Sequence, residues 1–168
     1  MIPPDWQIAL LDEATFLRGQ ILTSYAQAEF LLADLSVQFD LHFPYPMKER
    51  IKAAKKIADR EGFGGYKDEL LEACDKLLEF EELRHLMAHG FESMTTDPTA
   101  KHMFDFRLYV RNAKDDFEQR QYFLTIDHMR YNAENIRLYT SKAVDLFRRI
   151  YLEKRIEDPK EGVLTEPK

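Results

Sequence analysis

The chain has 168 residues, 45% of them hydrophobic and 32% charged, and a formal net charge of −6 at neutral pH. That is enough chain to bury one core, with the composition of an ordinary soluble domain. The acidic balance argues against a broad basic surface for nucleic acid, while leaving room for a small basic site in a groove between two copies. Cys74, the one cysteine, can close no internal disulfide. It falls at an apolar helix position, as a buried thiol in a reducing compartment would. No apolar run reaches the roughly 18 residues of a membrane span. The opening Met1-Ile2-Pro3-Pro4-Asp5-Trp6 lacks the charged-then-apolar order of a signal peptide. A cytoplasmic location and no membrane partner are therefore expected.

Residues 5–39 read as one long helix, or two broken near Gly19, with Asp5 as N-cap. Ile8, Leu11, Ala14, Leu17, Ile21, Tyr25, Ala28, Leu31, Leu32 and Leu35 recur at helical spacing. Leu41-His42-Phe43-Pro44-Tyr45-Pro46 is a loop, since each proline forces its predecessor into extended backbone. A second helix from Met47 to Arg60 is the most basic segment, with Lys48, Arg50, Lys52, Lys55 and Lys56. Charges spread round a helix describe a solvated face first and an RNA guide second. Gly62-Phe63-Gly64-Gly65 supplies a flexible connection, without the strand-before, helix-after setting of a phosphate loop.

A third helix spans Lys67 to His89, with Leu70, Leu71, Cys74, Leu77, Leu78, Leu83 and Met87 on its apolar face. Thr95-Thr96-Asp97-Pro98-Thr99 makes a turn-rich crossing. The period then changes: Phe104, Phe106, Leu108 and Val110 alternate with polar residues, and Tyr122, Leu124 and Ile126 alternate again. The two runs, with the polar loop of residues 112–118 between them, predict a β-hairpin over about 103–126. Its apolar face must lie on helices, because an isolated hairpin is marginal in water. Arg107, Arg111 and Arg120 would project from it, guarding an edge or reaching a partner. The last helix runs from an N-cap at Asp127 to about Glu157, and Asp158-Pro159 ends it. The expected fold is mainly α: an antiparallel bundle of about four main helices with one β-hairpin before the last. It forms a single domain over residues 1–157, followed by a flexible tail at 158–168.

The stretch Glu81-Glu82-Leu83-Arg84-His85-Leu86-Met87-Ala88-His89-Gly90 concentrates the chemistry, with two of the five histidines and an arginine within six residues. Gly90 reads as a C′ glycine, which puts His89 in the last helical turn, where the helix dipole favours a protonated imidazole. Imidazole exchanges protons near neutral pH, and the planar arginine fork suits phosphate. His85 and His89, at i and i+4, share a face, whereas Arg84 lies about 140° round the helix from His89.

Arg84-His85-Leu86-Met87-Ala88-His89 resembles the Arg, polar, three residues, His signature of the HEPN superfamily, and the Ala-His-Gly ending is similar too. The resemblance implies an all-α nuclease that works as a homodimer, with a composite site between two motif helices. It implies that His89 moves the proton of the 2′-hydroxyl, Arg84 holds the phosphate, and His85 positions it or shares the proton work. Cleavage would need no metal or other cofactor and would leave a 2′,3′-cyclic phosphate. The expected partners are RNA rather than DNA, a second copy of the chain, and an antitoxin or nucleotidyltransferase protein. HEPN proteins often carry an acid in the first helix, and here that would be Glu29, which also reads as a solvated or partner-facing carboxylate. Three alternatives stay open. Glu81, His85 and His89, at i, i+4 and i+8, could contribute ligands to a transition metal. The histidines could simply cap the helix end. The chain could also be a non-catalytic HEPN-like module that binds nucleotide or a partner protein in a bacterial regulatory system.

Overall fold

The computed structural model describes residues 4–39, 47–96, 102–111 and 116–156. The predicted loop at 41–46, the Asp97-Pro98 turn and the tail at 158–168 lie outside them. The chain is mainly helical, with a small antiparallel sheet. Helices α1 (Asp5–Gln38), α2 (Met47–Lys55), α3 (Lys67–Glu79) and α4 (Glu81–His89) precede three strands. These are β1 (Phe91–Thr96), β2 (His102–Arg111) and β3 (Phe117–Leu124), and α5 (Ile126–Lys154) closes the order.

Helix α1 runs unbroken through Gly19. Leu17 and Ile21 on either side of it are buried, so packing outweighs the roughly 1 kcal/mol that a mid-helix glycine costs relative to alanine. Of the predicted stripe, Ala14, Leu17, Ile21, Tyr25, Ala28, Leu32 and Leu35 are buried together with Ser36, whereas Leu11 and Leu31 are partly buried at its margin and Ile8, near the helix start, is exposed. The N-cap is Pro4 instead of Asp5, which is the first helical residue. Helix α5 starts from Thr125, whose hydroxyl accepts from the His128 amide at 3.2 Å, so the predicted cap at Asp127 lies within the first turn of the helix.

The expected antiparallel arrangement holds between α3 and α5, where Tyr139 donates to the Ala73 carbonyl and Arg149 to Glu69, but not between α1 and α5. The Arg130 guanidinium donates to both oxygens of Glu13, Thr140 donates to the Ser24 carbonyl, and Tyr151 donates to Asp34. All three links step along both helices in the same direction, with near-constant offset, so α1 and α5 are parallel neighbours. The intervening sheet makes this possible, because it brings the chain back to the start of α1, where Trp6 stacks on His102 with ring centroids 4.5 Å apart.

The predicted helix over 67–89 is two helices, jointed at Phe80. There the backbone leaves the regular ladder and the Phe80 ring turns onto Tyr139, 5.5 Å between centroids. The basic helix likewise gives way to a 3-10 turn at Lys56–Asp59, and a second 3-10 turn at Gly64–Tyr66 leads into α3. Between them the glycine-rich connection is anchored. Gly62 adopts φ +83°, Lys154 donates to its carbonyl, and Phe63 is buried edge-on against Phe39.

The hairpin is real, but it is part of a three-stranded meander ordered β1-β2-β3. The missed strand β1 pairs Phe91 with Arg107 and Thr96 with His102. Thr95 and Thr96, read as turn, complete it. As a short edge strand it carries little apolar alternation of its own, and only pairing with β2 defines it. Phe104, Phe106 and Leu108 bury one face of β2 in the core, and β2 contacts both α4 and α5. Cys74 is buried as predicted, and burial pushes its thiol up to about 12. Among the described residues, no helix is long and apolar enough to cross a membrane.

Candidate functional site

Helix α4 is fixed at both ends. In its first turn the Tyr122 hydroxyl of β3 donates to Glu82 at 2.7 Å. At its last turn Arg18 of α1 donates through Nε to the Met87 carbonyl and through a terminal nitrogen to the Gly90 carbonyl at 3.2 Å. A guanidinium there satisfies carbonyls that the helix leaves open and complements the negative end of its dipole. Buried Leu86 and Met87 seat the helix on the core.

Gly90 does not take the predicted left-handed C′ conformation. Its φ of −69° and ψ of 130° are extended, and its amide bonds the Leu86 carbonyl at 2.8 Å. Glycine is required for space: a Cβ would lie 2.6 Å from the Leu86 oxygen and 3.3 Å from the Phe106 ring. The helix can therefore turn straight into β1 beneath Phe106, which places the motif beside the sheet.

His85 and His89 are brought together, as their spacing predicted, with ring centroids 4.9 Å apart and planes tilted by 56°. His89 is exposed and His85 half-buried. The His85 pKa is pushed below the ordinary histidine range, first by partial burial, then by the charges of His89 and Arg84, while Glu81 opposes them. A neutral imidazole next to an exposed second one is a suitable arrangement for passing a proton.

Arg84 is held to one side of this pair. Its guanidinium lies 5.8 Å from the centroid of the buried Tyr25 ring, in the cation–π range. Its charge nevertheless acts on His85. Among the described residues no group of three or more His, Cys, Asp or Glu side chains is placed to hold a metal ion, so the Glu81, His85, His89 stripe does not gather into one. In the basic second helix Lys52 pairs with Glu49 and Lys55 with Asp75, as on a solvated face. Glu29 is half-buried on α1.

Sequence reasoning missed Arg18 and Tyr122. Arg18 had a signal, a cation beside core residue Leu17 at the edge of an apolar stripe, which seldom occurs without a partner. Tyr122 counted only as a strand residue, and its bond to Glu82 depends on how the sheet meets α4. Comparison with protein-family models, curated proteins and solved structures gives no match.

Proposed function

We propose that the chain is a metal-independent endoribonuclease of HEPN type, acting as a homodimer on single-stranded RNA. The observation that carries this reading is the pairing of His85 and His89 at 4.9 Å on the open face of a helix whose carboxyl end is locked by Arg18. His89 takes the proton of the substrate 2′-hydroxyl, whose oxygen bonds to phosphorus as the bond to the 5′-oxygen breaks. The departing 5′-oxygen is protonated by the second imidazole or by water. Arg84 holds the phosphate and its developing charge. One chain offers an imidazole pair with a guanidinium to one side, and a second copy of residues 84–90 would provide the opposite wall. The products are a 2′,3′-cyclic phosphate and a 5′-hydroxyl. A toxin or defence role, with an antitoxin or nucleotidyltransferase as partner, belongs to the same proposal.

The test incubates wild type, His89→Ala and Arg84→Ala with end-labelled RNA in EDTA and maps the product ends. His89→Ala should slow cleavage by about 10²–10⁴, the usual worth of acid–base catalysis. Arg84→Ala should slow it by about 10²–10³. The melting temperature should hold for His89→Ala, since that side chain is exposed, and fall slightly for Arg84→Ala, which loses its packing on Tyr25. Equal cleavage in all three proteins points to a contaminant and sinks the proposal. Cleavage that stops in EDTA transfers the reading to a metal site. The engagement of Arg84 with Tyr25 favours one second reading, a binding module without catalysis. Tight nucleotide or partner-protein binding with no cleavage of any RNA would select it.

A further inference from the structure

The three-stranded sheet has a second face, turned away from the core. Alternation along β2 sends Phe104, Phe106 and Leu108 inward and Arg107, Tyr109 and Arg111 outward. Paired residues of an antiparallel ladder share a face. The register sets Gln119 beside Tyr109, Phe117 beside Arg111 and Phe123 beside Asp105. Three aromatic rings thus stand on the outer face, Tyr109 67%, Phe117 70% and Phe123 46% exposed.

Arginines are interleaved with the rings. Arg111 lies over the Phe117 ring at 5.6 Å. Arg107 donates to Asp105, which also accepts from Gln121 at 2.9 Å. Those bonds hold the Asp105 carboxyl below its ordinary range and fix the guanidinium in place with the Arg107 side chain still 49% exposed. Of the β2 and β3 side chains facing outward, two are cationic and one anionic, in a chain whose overall charge is −6.

We propose that this outer face is a stacking platform for single-stranded RNA, with bases on Tyr109 and Phe117 and phosphates on Arg107 and Arg111. It rests on the ribonuclease reading, to which it adds the substrate-holding surface. A flat sheet with spaced rings suits unpaired bases, since every base has a π-face, whereas duplex bases are already stacked. The local excess of cations favours phosphate. From Arg107 to Arg111 is four residues, about 14 Å along a strand, or two to three nucleotides.

The experiment measures fluorescence anisotropy of a 5′-fluorescein-labelled 12-nucleotide 2′-O-methyl RNA of mixed adenosine and uridine, titrated with the full chain in EDTA. This probe lacks the attacking hydroxyl, so binding is read apart from cleavage. Tyr109→Ala and Phe117→Ala should each weaken binding about 5- to 100-fold, the range for one stacked base. Tyr109→Phe and Phe117→Tyr should restore it. Arg111→Ala should weaken binding and flatten its salt dependence. Probe binding that depends on the rings, with no cleavage of ordinary RNA, upholds the platform while refuting the nuclease. Unchanged affinity in the double alanine variant overturns the platform, even if RNA is cut. So does a wild type that fails to bind the probe. A fall in oligomeric state in that variant with unaltered RNA affinity also overturns it, and makes the face a contact between copies.

Discussion

Helices α1 and α5 and the α4–β1 corner are held in different ways. The long pair is tied at three levels by Glu13–Arg130, Ser24–Thr140 and Asp34–Tyr151, and between the ties it buries Ile21, Leu35, Ile136 and Ile150 completely. At these three levels its polar groups bond one another. Helix α4 is pinned at its two ends by Tyr122 and Arg18 and seated by Leu86 and Met87, leaving His85 and His89 on an open face. One region uses its side chains to fix the scaffold. The other is held through Glu82 and its carboxyl-end carbonyls, so exposed His89 is not needed to fix the helix, and chemistry can be placed there at small cost to folding.

The comparison breaks most visibly under Ile21→Ala. Removing a fully buried branched side chain should cost about 2–5 kcal/mol, read as a lower midpoint in urea, while cleavage per folded molecule stays at the wild-type rate. A parallel loss of specific activity would mean the two regions are not separable.

Gly90→Ala comes next. The added Cβ meets the Leu86 carbonyl and the Phe106 ring, and overpacking of this kind typically costs about 1–3 kcal/mol. Because the strain falls on the end of α4, specific activity should drop as well, unlike Ile21→Ala. Thermal melts alongside cleavage rates decide it.

The smallest effect sharpens the electrostatic side. His85 binds its proton less readily folded than unfolded. Its contribution is therefore fully present above the unfolded value of about 6.5, and is lost as pH falls through the depressed folded value. His85→Gln should flatten the decline in urea midpoint between pH 7.5 and pH 5.5. An identical decline in both proteins would place the acid sensitivity elsewhere.

By itself the sequence determined whatever depends on neighbours along the chain. The 3.6-residue period of Ala14 to Leu35 specified an amphipathic helical segment, with only a break near Gly19 left open, because one apolar stripe must find a core. The alternation from Phe104 to Val110 specified a strand, and the i, i+4 spacing of His85 and His89 specified that their rings would meet. Tertiary structure decided what depends on distant partners. It paired β1 with β2, though Phe91–Thr96 has weak alternation of its own. It ran α1 and α5 parallel, a choice set by where the strands return the chain. It broke the helix at Phe80 to seat a ring on Tyr139, and it brought Arg18 to the end of α4, 69 residues away from Met87 in sequence. Gly90 divides the two: the residue type announced a special backbone position, but the reason, Phe106 packed against it, exists only once the sheet has folded over the helix end.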